Sequence, residues 1–172
     1  RSLRDVAILL KAAASPRDLR DLLRLTTLNV AIGNADAHAK NLGLLHPRDG
    51  SVRLAPAYDV TPTTFYRQIP TELGPRDLDD NLGMFVNGRR SVHEVSIADL
   101  VAEGASWGLS DTTARAVIGE ALVIVEERLE DAVSLSGAPA QLRGFVAARV
   151  RALRIGERAA HGERDTSTSI EE

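Results

Sequence analysis

The 172-residue chain contains no cysteine. This excludes disulfides, thiolate metal sites and a cysteine nucleophile, and it suits a cytoplasmic compartment. Aromatic residues make up only 3%, so a core has to be assembled from Leu, Val, Ala and Ile. Long apolar runs are also missing, and neither a membrane span nor a signal peptide is expected. Charge of one sign is not in large excess. A net charge of -3 argues against direct nucleic-acid binding, because such surfaces gain affinity by neutralising phosphates. Against these absences stands a hydrophobic content of 44%, enough for one buried core or for one lobe of something larger. The chain starts at Arg1 rather than Met, and it is expected to be a fragment of a longer polypeptide.

Apolar spacing predicts a mainly α fold. Residues 2 to 14 carry Leu3, Val6, Ala7, Leu9 and Leu10 at helical intervals. Ser15-Pro16-Arg17-Asp18 starts a second helix, with a Ser cap, Pro at the first position and an acid at the third. That helix runs through Leu22, Leu23 and Val30 to Ile32, where Gly33 and Asn34 end it. Strands over 42–46 and 51–55 flank a Pro47-Arg48-Asp49-Gly50 turn, and 84–92 form a second hairpin around Asn87-Gly88. Residues 67–80 read as a polar loop. Helices are predicted from Ser96 to Gly104 or Gly108, from Ser110 through Leu129, and from Pro139 to Ile155. The organisation is therefore a unit over 1–155 and a tail over 156–172 that is expected to be disordered.

One stretch carries chemistry. In Gly33-Asn34-Ala35-Asp36-Ala37-His38-Ala39-Lys40-Asn41 an acid and an amide stand five residues apart, and Asp59 follows downstream in Ala57-Tyr58-Asp59-Val60. Phosphoryl transfer needs a carboxylate to receive the hydroxyl proton and oxygen ligands to hold Mg²⁺ on nucleotide phosphates. Asp36 fits the first role, and Asn41 and Asp59 fit the second. A hairpin between Asn41 and Asp59 would bring the two ligands together. Taken singly, each has a plainer role: Asp36 in a turn, Asn41 at a strand start, Asp59 capping the Thr61–Thr64 turn. His38 and Lys40 can offer donors to phosphates, but His38 serves equally as a structural histidine and Lys40 as a solvated side chain. Tyr58 would pack on the nucleotide or the loop, and core packing is its expected role.

Other signals are weak. His46, His93 and His161 lack metal-ligand spacing and read as surface or loop residues. No Gly-x-Ser-x-Gly nucleophile elbow is present. The arginines from Arg143 to Arg158 alternate with apolar residues and read as the solvated face of an amphipathic helix.

The Gly33–Asn41 block, followed by Leu54-Ala55-Pro56-Ala57-Tyr58-Asp59-Val60, resembles the C-terminal lobe of HipA-family kinases. Leu82-Gly83-Met84-Phe85-Val86-Asn87-Gly88 is similar to a further segment of that family. The resemblance implies a helical kinase-type lobe with one or two small β-hairpins. It also implies a bacterial serine/threonine protein kinase, often the toxin of a toxin–antitoxin pair, using ATP and Mg²⁺. Asp36 would be the catalytic base and Asn41 and Asp59 the metal ligands, with His38 and Tyr58 near the nucleotide phosphates; Lys40, read from its position alone, joins His38 and Tyr58 as a candidate nucleotide-binding residue. The best-known members phosphorylate an aminoacyl-tRNA synthetase and pair with a helix-turn-helix antitoxin. No Gly-rich loop before a Val-x-x-Lys strand occurs in this chain, so by itself it is expected to be inactive. Two other readings stay open: a non-catalytic binding module that keeps the helical lobe, and a metal-dependent phosphohydrolase using Asp36, His38 and Asp59. The second wants more His and Asp ligands than this chain's 4 histidines offer.

Overall fold

The computed structural model describes residues 2–66, 68–69 and 72–159. The first helix, α1 (Leu3–Ala13), starts at a capping box in which Ser2 and Asp5 exchange backbone and side-chain hydrogen bonds. The second, α2 (Pro16–Ile32), repeats the device. Its Asp18 carboxylate accepts the Ser15 N–H at 3.0 Å and the Ser15 hydroxyl at 2.7 Å. Asp18 also accepts the Leu54 N–H at 2.7 Å, which ties a distant hairpin to the start of α2. Three further helices are α3 (Ile97–Ser106), α4 (Asp111–Ser136) and α5 (Gln141–Arg154).

Helix α2 is central and packs against α1, α3, α4 and α5. Leu19, Leu22, Leu23, Val30 and Ala31 are buried along it, and meet Leu100, Ile118, Leu122, Phe145 and Leu153 in one core. Thr26 and Thr27 are buried among these aliphatics, and each turns its hydroxyl back to the carbonyl four residues earlier, at 2.8 Å. Among the described residues no helix is long and apolar enough to cross a membrane.

Among the described residues, three antiparallel strand pairs decorate the helices. They are β1 (Leu44–Leu45) with β2 (Arg53–Leu54), β3 (Gln68–Ile69) with β4 (Arg76–Asp77), and β5 (Asn81–Val86) with β6 (Arg89–Ser91). The first two-stranded pair is shorter than the predicted strands. The second lies inside 67–80, expected to be a loop, because two residues per strand leave no alternation to detect. In the third, Asn87 and Gly88 both take positive φ, as the tight turn requires. Asn87 and Arg89 then dock on α3: the Asn87 N–H reaches Glu103 at 2.5 Å, and the Asn87 amide and Arg89 Nε reach Asp99, each at 3.0 Å.

Two expectations about the C-terminal region need correction. Residues 156–159 do not trail away: the Ala159 N–H donates to Val95 at 2.8 Å and Ala159 is fully buried. The rest of the expected tail lies outside the described residues, as does His161. The arginine series is not solvated throughout either, since Arg149 is completely buried. Two of its carbonyl partners, Val30 and Val92, belong to segments far away in sequence, so helical spacing could not mark it. His93, read as a surface or loop residue, does lie in the turn after β6, but it is buried there beside Arg149.

Candidate active site

Helix α2 delivers the acid–amide loop. It stops at Gly33, whose φ of +77° is left-handed backbone that a side chain would resist. A Cβ there would also collide with the Thr64 hydroxyl and come within 3.2 Å of the Phe145 ring. The Gly33 carbonyl accepts both the backbone N–H of Thr64, at 3.0 Å, and its hydroxyl, at 2.9 Å. Two residues on, the Ala35 N–H donates to the Thr63 hydroxyl at 2.8 Å, while its carbonyl accepts the Gly83 N–H at 2.8 Å. The backbone immediately before Asp36 is thus held between the 63–64 turn and strand β5. Asp36 itself is exposed, as a group that must meet a substrate should be.

Gly83 sits against the same loop. A Cβ at this position would lie 2.9 Å from the His38 Cβ and 3.1 Å from the Ala37 carbonyl. His38 precedes a 3₁₀ turn, Ala39–Asn41, and its carbonyl accepts the Asn41 N–H at 2.9 Å. The His38 Nδ1 is buried and has no hydrogen-bond partner among the described residues. Lys40 is exposed, and its carbonyl accepts the Tyr58 hydroxyl at 2.5 Å. Tyr58 therefore does not pack in the core as expected. It is half exposed and braces the loop from outside.

The β1–β2 hairpin closes the remaining distance. Across a separation of 18 residues, Asn41 Nδ2 donates to Asp59 Oδ2 at 2.8 Å. Asp59 is exposed and adopts φ of +53°, unusual for a residue other than glycine. The two predicted metal ligands are thus together. The loop carrying Asp36 is joined to the Asp59 segment at three places, through Asn41–Asp59, through Lys40–Tyr58 and through residues 33–35 with Thr63 and Thr64.

The donor set fits a hard cation. Asp59 offers a carboxylate and Asn41, whose amide nitrogen bonds that carboxylate here, an amide carbonyl; both are oxygens of the kind Mg²⁺ takes when phosphates and water complete its shell. Among the described residues no group of three or more His, Cys, Asp or Glu side chains could hold a metal. Sequence reasoning missed Thr63, Thr64 and Gly83 as determinants of the loop. The Thr-Pro-Thr-Thr run was visible, but as a turn of its own rather than as the clamp on Gly33.

A groove of about 840 Å³ runs between α2, the β1–β2 hairpin and α4, lined by Leu25, Leu28, Leu45, Leu54, Ile124 and Val125 among others. None of Asp36, His38, Lys40, Asn41, Tyr58 or Asp59 lines it.

Comparison with known proteins agrees with this architecture. The profile of the HipA-like C-terminal domain matches residues 1–129. The chain belongs to the HipA-like C-terminal domain family. "Putative kinase Y4mE" of Sinorhizobium fredii (strain NBRC 101917 / NGR234) is 32% identical over 98 residues, which are 56% of this chain and 20% of that protein. HipA of Shewanella oneidensis MR-1, solved as a toxin–antitoxin complex with HipB and operator DNA, superposes with a TM-score of 0.67 at 20% identity. The match covers 89% of this chain and 34% of that one, so the mainly helical fold with small strand pairs is a HipA fold. The chain therefore spans about a fifth of the curated relative and about a third of the solved one.

Proposed function

We propose that this HipA-like segment is the catalytic lobe of a serine/threonine protein kinase that transfers the ATP γ-phosphoryl group to a protein hydroxyl. The observation that carries the reading is the Asn41–Asp59 contact at 2.8 Å, made across 18 residues of chain and next to the clamped Asp36 loop. In this reading Asp36 accepts the proton of the attacking hydroxyl. Asn41 and Asp59 hold Mg²⁺, which when bound neutralises charge on the nucleotide phosphates. His38 and Lys40 border the same face, and Tyr58 keeps the Lys40–Asn41 backbone in place. Residues 1–159 contain no glycine-rich loop to cover phosphates, so the isolated chain is proposed not to turn over. A protein substrate, an aminoacyl-tRNA synthetase among the candidates, and a helix-turn-helix antitoxin are proposed as partners within a cytoplasmic toxin–antitoxin system.

A non-catalytic binding module is the second reading. On its side is one observation, that the apolar groove between α2, the β1–β2 hairpin and α4 lies away from every site residue. A transfer assay separates the two. The longest natural polypeptide carrying this segment is incubated with γ-labelled ATP and Mg²⁺, alone and with candidate proteins. The kinase reading predicts label on serine or threonine and a loss of about 100-fold or more in Asp36→Asn, the usual scale for removing a catalytic base. No label, or label indifferent to Asp36→Asn, contradicts it. Release of free phosphate in place of labelled protein would revive the phosphohydrolase.

A further inference from the structure

Arg149, in the middle of α5, is the largest fully buried side chain among the described residues. Its Nη2 donates to the Val30 carbonyl at 2.7 Å and to Val92 at 3.4 Å. Its Nη1 donates to the Ala159 carbonyl at 3.3 Å and lies 2.9 Å from His93 Nδ1. A guanidinium can only donate, so His93 Nδ1 is the acceptor and the ring proton sits on Nε2. That Nε2 faces Asp80 Oδ1 at 3.5 Å. One cation thus joins the end of α2, the approach to α3 and the segment after α5.

The place of the first bond matters most. Val30 lies in the last turn of α2, and its carbonyl also accepts the Gly33 N–H at 3.2 Å. The last turn of α2 contains no basic residue of its own. The negative end of its dipole receives a full positive charge from α5 instead. Phe145, one turn before Arg149, lies with its ring 5.5 Å from the guanidinium carbon, and the ring closes on Gly33 from the side. Both groups bear on the turn that sets the direction of the chain into Asp36. Burial pushes the Arg149 pKa down to about 10, against an opposing pull from Asp80, so the charge is retained at neutral pH. A buried cation is costly where an aliphatic side chain would fill the same space. A role that needs donors explains its presence better than packing does.

We propose that Arg149 is a positioning residue for Asp36, holding the α2 terminus and the Gly33–Asp36 turn in fixed relation to Val92, His93 and the segment at Ala159. The proposal rests on the kinase reading for its functional consequence, but not for its structural one. The C-terminal segment 156–159 is thereby coupled to the catalytic loop, although it lies far from Asp36 in sequence.

The test uses Arg149→Lys, which keeps the charge and loses the fork, and Arg149→Met, which keeps only bulk. Amide hydrogen exchange in this chain is the first readout. Residues 33–38 should exchange about tenfold or more faster in either variant while α3 and α4 keep their protection, as local opening requires. Equal acceleration throughout, or none at residues 33–38, overturns the proposal. Should Arg149→Met not fold, Arg149→Lys carries the same comparison. In the longest natural polypeptide, kcat for phosphoryl transfer should then fall about tenfold or more with KM for ATP little changed, Arg149→Lys losing less than Arg149→Met. An unchanged kcat in a folded variant overturns the role for Asp36. Absence of transfer in the wild type would instead refute the kinase reading, with the exchange result left to stand for the loop.

Discussion

At the scale of single residues, the site depends on positions that touch no substrate. Gly33 combines left-handed backbone with contact to Thr64 and Phe145, so Gly33→Ala should cost more than the roughly 1 kcal/mol of an ordinary incompatible glycine replacement. Thermal unfolding would register that as a fall of several degrees, and an unchanged midpoint would show that the turn relaxes freely. Gly88, also at positive φ, has open space where a Cβ would stand, with nothing within 4 Å, and Gly88→Ala should cost less.

At the scale of elements, capping boxes start α1, α2 and α3, and two of their acids do more than cap. Burial alone would raise the pKa of Asp18, but hydrogen bonds from the Leu54 N–H, the Ser15 hydroxyl and the Ser15 N–H outweigh it and hold the carboxyl below its usual range. Asp99 is the same: burial would raise its pKa, and hydrogen bonds from Ser96, Asn87 and Arg89 outweigh that and lower it. The sign follows from linkage. Stability from these groups is fully present above the unfolded value of about 4 and is lost as pH falls through the lower folded values. Acid titration followed by circular dichroism should therefore show loss of stability below about pH 4, with a shallower dependence in Asp18→Asn. A slope unaffected by Asp18→Asn would mean that the Leu54 tether contributes nothing. Because that tether anchors β2, its loss should also loosen the hairpin that brings Asp59 to Asn41.

At the scale of the whole molecule, local signals in the sequence located the helices, because caps and apolar intervals are short-range features. Ser15-Pro16 and Gly33 bracket α2, and Ser96 with Asp99 opens α3. The Asn41–Asp59 pairing was legible for a similar reason: a turn at Pro47–Gly50 makes their approach a matter of hairpin geometry. What was not legible depends on partners remote in sequence. Arg149 looked like one more solvated arginine until Val30, 119 residues away, proved to be its acceptor. His93 took its burial from Arg149, and Tyr58 exchanged an expected core position for a bond to the Lys40 carbonyl. The β3–β4 pair carried too few residues for any period to show. The fold thus assembles locally recognisable helices, while the loop bearing Asp36 is held by long-range hydrogen bonds with Thr63, Thr64 and Gly83, and the helix turn before it accepts from Arg149.

The most direct measurement is Mn²⁺ binding to this chain, followed by its paramagnetism with and without ATP, in the wild type, Asn41→Ala and Asp59→Asn. Mn²⁺ takes the same oxygen ligands as Mg²⁺. If residues 36–59 form a metal–nucleotide site, ATP should promote Mn²⁺ binding in the wild type and fail to do so in either variant. ATP-promoted binding of equal strength in all three would contradict the account, because the cation would then be held without the two residues that the fold brings together.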